Sequence, residues 1–285
     1  MVKSSKFQLT ETDVAILKKL TWYYLTPRLL FELLPTFEKC SIKSLRSLQM
    51  RLRTLYQQGL INRDHRFSRS QGTNEYYYFL TKQGASFFEE LEDTKPGKGI
   101  LKRLEMGSQE HAFMIAELMV KLEQDIYRSQ GKVKLSGYIR ENHFDIRIPA
   151  QKKDQKNVVY KPDGTVFIQN SKGKQLLFLE ADLSTEPVLP VNPLRSSFRR
   201  KIIVYTAYRN YFKHDELIRL FGSFDSYRVL MVCQTKERVA SLIKAARQMG
   251  KKTLFWLSDL KKIKKYNVLF DKIWQLPNGE IRSIL

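Results

Sequence analysis

Cysteine is almost missing from this chain. Two stand among 285 residues, Cys40 and Cys233, far apart in the chain. Neither sits in a Cys-x-x-Cys pair, and the four histidines supply no second ligand at zinc spacing, so a structural zinc site has no ligand set. His111 in particular has no His or Cys four residues on and reads as a surface or capped histidine. Both thiols read as free groups of a reducing compartment, and the expected location is the cytoplasm. Long apolar runs are lacking as well. The longest are of strand length, no apolar signal core opens the chain, and nothing suffices to span a membrane. Walker loops, dinucleotide glycine loops and Gly-x-Ser-x-Gly are absent, which leaves nucleotide-driven phosphoryl transfer, hydride transfer and serine hydrolysis without support.

Positive charge, by contrast, is plentiful. Lysine and arginine number 50 against 29 aspartates and glutamates, a formal net charge of +21. A surplus of this size favours a polyanionic partner: DNA, RNA or an anionic membrane surface. Apolar residues make up 42% and aromatics 12%, enough for two ordinary domains with separate cores. Thr94-Lys95-Pro96-Gly97-Lys98-Gly99 contains no apolar residue and marks the expected boundary, giving domains 1–95 and 100–285. Residues 191–285 hold 20 Lys/Arg against 7 Asp/Glu, so polyanion contact is not expected to be confined to the first domain.

In the first domain, Thr10 and early acids start one helix, and Pro27 starts another that Pro35 stops. Ser41 is expected to cap a third helix, Ile42 to Gln58, ended by Gly59. Leu45, Leu48, Leu52 and Leu55 give it an apolar stripe. Lys43, Arg46, Arg51 and Arg53, with Ser44, Ser47 and Gln49, form the other face. Two short strands follow, Gly59–Arg63 and Tyr76–Leu80, around a polar and basic segment, and Thr81-Lys82-Gln83-Gly84 opens a closing helix. Three helices, a two-stranded wing and a helix make the order of a winged helix-turn-helix. Leu-x-x-Leu-x-x-x-Gly-Leu-Ile-x-Arg from Leu52, then Tyr-x-Leu-Thr-x-x-Gly to Gly84, resembles many bacterial winged-helix regulators. Such a domain puts its third helix in the major groove and its wing along the backbone. The expected DNA contacts are Lys43, Ser44, Arg46, Ser47 and Arg51 on the helix and Arg66 and Arg69 on the wing.

The second domain reads as a helix from Glu105 to Ser129, a strand near Val133–Ile139, an irregular basic stretch to Tyr160, and a β-hairpin turning at Ser171–Lys174. A helix over 193–212 follows, then strand, helix, strand, an α/β sandwich with a mixed sheet. Three acids mark the hairpin. Asp163 begins its first strand, while Glu180 and Asp182 lie two apart on the second and so share a face. Pro162-Asp163-Gly164 is also ordinary turn chemistry, and Glu180, Asp182 and Glu186 could equally pair with the Arg199–Lys201 cluster.

Lys161-Pro162-Asp163-Gly164, the run from Phe178 to Pro187, and Arg200-Lys201-Ile202 leading to Tyr205-Thr206-Ala207-Tyr208 resemble the plasmid replication-relaxation family. That resemblance implies handling of plasmid or conjugative-element DNA in replication or mobilisation. The order of elements is also similar to the PD-(D/E)xK nuclease core. This second likeness implies Asp163 and Glu180 as ligands of Mg2+ or Mn2+, with Glu110 or Glu117 as a further ligand. Asp182 stands where that motif carries its lysine; Lys201 or Arg200 on the following helix would have to substitute. Asp163, Glu180, Asp182 and Lys201 are thus the candidate catalytic residues of a metal-dependent endonuclease, and Arg199 and Arg200 further DNA contacts. A transcriptional repressor with a dimerising second domain is the remaining alternative. The expected partners are double-stranded DNA and a relaxase or replication protein, with homodimerisation left open.

Overall fold

A computed structural model describes residues 8–66, 75–92, 103–105, 108–141, 143–148, 158–188, 197–209 and 216–285. The chain divides into two compact units, Met1–Ala116 and Glu117–Leu285. The expected boundary segment around Thr94–Gly99 lies outside the described residues.

The first unit opens with α1 (Glu11–Trp22), started by a reciprocal cap. The Thr10 hydroxyl accepts from the Asp13 amide at 3.3 Å while the Asp13 carboxylate accepts from the Thr10 amide at 2.6 Å. Helix α2 (Pro27–Leu33) carries proline at its first position, where no amide hydrogen is needed. Helix α3 runs Leu45–Gln57, three residues shorter at its start than the sequence suggests. Ser44 rather than Ser41 is its cap, because Ser44 has an extended backbone and its hydroxyl accepts from the Ser47 amide at 3.1 Å. Gly59, at φ +71°, turns the chain out of this helix in the left-handed region that suits glycine.

Strand β1 (Ile61–Arg66) pairs antiparallel with β2 (Glu75–Leu80), Ile61 opposite Leu80 and Arg66 opposite Glu75. Leu25, between α1 and α2, adds one bridge to Tyr78. Helix α4 (Lys82–Glu92) closes the set, its first turn fastened by the Thr81 hydroxyl, which accepts from Gly84 N and donates to Gly59 O. Leucines of all three leading helices, among them Leu17, Leu30 and Leu52, are fully buried. Each such burial is worth about 1.5–3 kcal/mol before entropy is counted.

Helix α5 (Gln109–Arg128) follows, with Phe113, Leu118, Met119 and Leu122 buried. The second unit then follows with β3 (Val133–Arg140), β4 (Ile146–Ile148), β5 (Val158–Tyr160), β6 (Gly164–Asn170), β7 (Gly173–Asp182), α6 (Phe198–Tyr208), α7 (Glu216–Phe221), β8 (Ser226–Cys233), α8 (Lys236–Gln248), β9 (Phe255–Asp259), α9 (Leu260–Lys265), β10 (Trp274–Gln275) and β11 (Ile281–Arg282). Seven strands make one mixed sheet in the order β11-β10-β9-β8-β7-β6-β3. Strands β7, β8 and β9 run parallel, joined by helical crossovers, and the other pairs are antiparallel. With nine α-helices among the described residues, the architecture is mixed α and β.

Strand β7 lies mid-sheet and is buried on both faces from Leu176 to Asp182. Leu176 and Phe178 pack with Phe198, Ile202 and Tyr205 of α6 and Val239 and Leu242 of α8. By alternation, Glu180 and Asp182 point into that same helix-covered layer. Two expectations change here. The stretch before Tyr160, expected to be irregular, includes an antiparallel ribbon with Ile146 opposite Tyr160. The helix expected over 193–212 is described as the shorter α6, capped by Ser197, whose hydroxyl accepts from the Arg200 amide at 3.2 Å.

Candidate functional site

Glu180 is the centre of a closed polar box. It is fully buried, yet both oxygens of its carboxylate are engaged. The Tyr160 hydroxyl, from the β4–β5 ribbon, lies 2.9 Å from Oε1 and 2.8 Å from Oε2. The Tyr205 hydroxyl of α6 donates to Oε1. Lys201 Nζ, also on α6, lies 2.9 Å from Oε2 and 3.5 Å from Glu186 Oε2. Spacing explains why α6 delivers both groups: residues four apart on a helix share a face.

Asp163 stands beside this box. The β6–β7 register pairs Gly164 with Leu179, so the preceding residue, Asp163, falls next to Glu180. Its Oδ2 accepts from the Ala181 amide at 2.8 Å. Burial and the neighbouring Asp163 charge together push the Glu180 carboxyl up to about 7, against the pull of Lys201 and Tyr205. Burial alone would lower the Lys201 ammonium, but the charges of Glu180, Asp163 and Glu186 raise it. Burial and the adjacent Glu180 raise the Tyr160 and Tyr205 phenols well above their usual range, which keeps both as hydrogen-bond donors.

Asp182 belongs to a different arrangement. Arg238 of α8 holds it in a two-pronged pair, Nε to Oδ1 at 2.8 Å and Nη2 to Oδ2 at 2.9 Å. The Ser184 amide adds 2.8 Å to Oδ1, with Ser184 itself at φ +64°. Arg238 also donates to the Glu186 carbonyl. Asp182 thus ties β7 to α8, and its arginine partner is Arg238 rather than a member of the 199–201 cluster.

These donor sets do not fit a divalent metal as they stand. A Mg2+ ion needs carboxylate oxygens free to ligate it in near-octahedral geometry. Here the two Glu180 oxygens share three protein donors, Asp163 Oδ2 carries an amide, and Asp182 is saturated by Arg238. Among the described residues no group of three His, Cys, Asp or Glu side chains could hold a metal. Glu117 is buried with its carboxylate 4.0 Å from Lys264, and Glu110 lies in the first turn of α5.

The other feature is the outer face of α3. Lys43, Ser44, Arg46, Ser47, Gln49, Met50 and Arg53 are all exposed, while Leu48, Leu52 and Leu55 are buried beneath them. Met50 is the most open large apolar side chain of the protein's described surface, at 66%. Arg51, expected on that face, points the other way. Its Nε and Nη2 bind both oxygens of Asp13, which is fully buried. Burial would raise the Asp13 carboxyl, but the Arg51 and Thr10 hydrogen bonds win and lower it. Arg66 lies 4.3 Å over the Phe113 ring and 3.8 Å from Glu75, and Arg69 lies outside the described residues. Arg63 instead stacks between Tyr56 and Tyr76, 4.7 Å and 4.4 Å from their rings.

The sequence model of the replication-relaxation family matches residues 23–219. The chain belongs to that family. No curated protein and no solved structure matched it. The span of the replication-relaxation match takes in α3, the hairpin, Asp163, Glu180 and α6, and stops before β8. It therefore leaves out Arg238, the partner of Asp182. Arg199 and Arg200 are half-buried on α6, and Arg200 reaches back to the Val159 carbonyl at 3.4 Å. Sequence reasoning missed Tyr160, Tyr205 and Arg238 as members of these networks. Tyr205 carried a usable signal, because it lies one helical turn beyond Lys201; Tyr160 and Arg238 carried none. No helix among the described residues is long and apolar enough to cross a membrane.

Proposed function

We propose that this protein binds duplex DNA of a plasmid or other mobile element in replication or mobilisation, through a winged helix formed by its first unit. The observation that carries this reading is the exposed face of α3 and the two residues leading into it, where Lys43, Arg46 and Arg53 stand among Ser44, Ser47, Gln49 and Met50 over a buried leucine stripe. Cations at the edges of such a helix meet phosphates, and the short polar side chains between them meet base edges. The β1–β2 hairpin follows α3 in the position of a wing. Family membership supports the replication theme, and a net charge of +21 supports a polyanionic partner. Arg199 and Arg200 add cations to the second unit.

The test is duplex binding across a salt series. Arg46→Ala with Arg53→Ala should weaken affinity and reduce the slope of log K against log salt by about one for each phosphate that is no longer neutralised. Unchanged slopes would assign binding to another surface. Mapping bound sequences across the host element would then separate an origin or transfer site from a promoter.

A second reading, a divalent-dependent DNA endonuclease built on a PD-(D/E)xK-like core, draws on the convergence of Asp163, Glu180 and Lys201. The Glu180 oxygens are engaged with protein groups, so this reading requires Tyr160, Tyr205 and Lys201 to release them first. Plasmid that stays intact after long incubation with Mn2+ would exclude it.

A further inference from the structure

Beyond the residues that the family match covers, the chain from Leu260 to Lys272 makes a compact surface of unusual chemistry. It holds five lysines, Lys261, Lys262, Lys264, Lys265 and Lys272, against one carboxylate, Asp271. That carboxylate is engaged within the turn, its Oδ2 accepting from the Asn267 amide at 2.8 Å. Two aromatic rings stand open beside the lysines: Tyr266 at 41% and Phe270 at 42% exposure. Lys265 Nζ sits 5.1 Å from the Tyr266 ring centroid. Lys264 pairs with Glu117 at 4.0 Å, while Lys261, Lys265 and Lys272 are exposed and have no ion pair among the described residues.

The segment is rigidly founded, which makes the exposure of the rings a property of the fold. Ile263, Val268 and Leu269 are fully buried beneath it. The Asp259 carboxylate caps α9 by accepting from the Lys262 amide at 3.0 Å. The Asp125 carboxylate accepts from the Leu269 amide at 3.0 Å, and the Trp274 indole donates to the Val268 carbonyl at 2.8 Å. The turn between them is therefore pinned from below at three points. What it offers to solvent is lysine and aromatic carbon.

We infer that the surface formed by α9 and the turn after it binds single-stranded nucleic acid, with phosphates on Lys261, Lys265 and Lys272 and bases stacked on Tyr266 and Phe270. Lysines alone would suit any polyanion. The open rings discriminate, because the bases of a single strand present π-faces that an intact duplex keeps stacked inside. A ring backed by an ammonium group suits that role, since the same side chains meet base and phosphate together.

The experiment is fluorescence anisotropy with the full chain. It compares an oligothymidylate of about 20 nucleotides, long enough for a few stacking sites, with a duplex of the same length. Tyr266→Ala with Phe270→Ala should weaken oligothymidylate binding roughly tenfold or more and leave duplex binding within about twofold. Lys261→Ala with Lys265→Ala should flatten the salt dependence of oligothymidylate binding. In an Arg46→Ala, Arg53→Ala background, oligothymidylate binding should persist, so loss of the duplex-reading helix is separable from loss of this surface. Wild-type protein without oligothymidylate affinity, or a ring variant that is folded by circular dichroism and binds it normally, would overturn the assignment. Equal losses on single strand and duplex would overturn it too. So would ring-dependent binding to phosphatidylglycerol vesicles without any ring-dependent effect on oligothymidylate, which would assign the surface to a membrane.

Discussion

Lys201 Nζ lies 2.9 Å from Glu180 Oε2, and neither residue has appreciable access to water. A buried ion pair of this kind is costly to break from one side, because the surviving charge keeps its desolvation penalty and loses its partner. At about pH 8, Lys201→Met should destabilise the second unit by about 3–5 kcal/mol. Adding Glu180→Gln should recover part of that loss. Urea denaturation of the two single variants and the double variant measures it, and strictly additive losses would show that the two groups are not coupled.

The raised Glu180 carboxyl gives stability a defined pH dependence. Its ordinary value is 4.5 and the fold pushes it up to about 7. Between those values the folded state keeps a proton that the unfolded state has released. Stability from this group is therefore full below 4.5 and is lost as pH rises through about 7. Glu180→Gln should flatten that slope, removing a change of about 3 kcal/mol. Urea midpoints at a series of pH values test it, and parallel profiles for wild type and variant would refute it.

Asp13 has the opposite sign. Its carboxyl is held below its ordinary value of 3.8, so its contribution is present above that value and fades as pH falls through the lowered one. Arg51→Ala leaves Asp13 buried without its cation and should cost about 3 kcal/mol. The expected consequence is a lower melting temperature for the first unit. A variant that melts like wild type but binds DNA more weakly would return Arg51 to the outward face.

Gln49 offers a separate test of the exposed helix. It stands on the outer face of α3 between Arg46 and Arg53 and is uncharged. If it meets a base edge, Gln49→Ala should reduce discrimination at one base pair by about 1–3 kcal/mol while the salt slope stays unchanged. Selection of bound sequences from a random pool reads the first quantity, and a salt titration the second. A changed slope with unchanged preference would contradict this role.

Gly84 is required by a close approach. A Cβ built on it would lie 2.0 Å from the Leu60 carbonyl oxygen, a backbone atom that cannot swing aside. Gly84→Ala should therefore push α4 away from the hairpin and cost about 1–3 kcal/mol. Thermal denaturation checks it; an unchanged melting temperature would mean that the helix start yields freely.

Much of this protein is written locally. The stripe Leu48, Leu52, Leu55 fixes α3 and its buried side, Gly59 fixes its end, and two β-forming runs about a short polar turn fix the β6–β7 hairpin. Alternation along β7 dictates that Glu180 and Asp182 share a face. Period and turn chemistry decide such features, since they depend on neighbours within a few residues. The destinations of charged side chains were decided elsewhere. Arg51 pairs with Asp13 across 38 residues, Asp182 with Arg238 across 56, and Glu180 draws Tyr160 and Tyr205 from two different elements. A buried charge takes whichever donor packing brings within reach, and the packing that joins residues so distant in the chain exists only after the sheet and its helices have assembled.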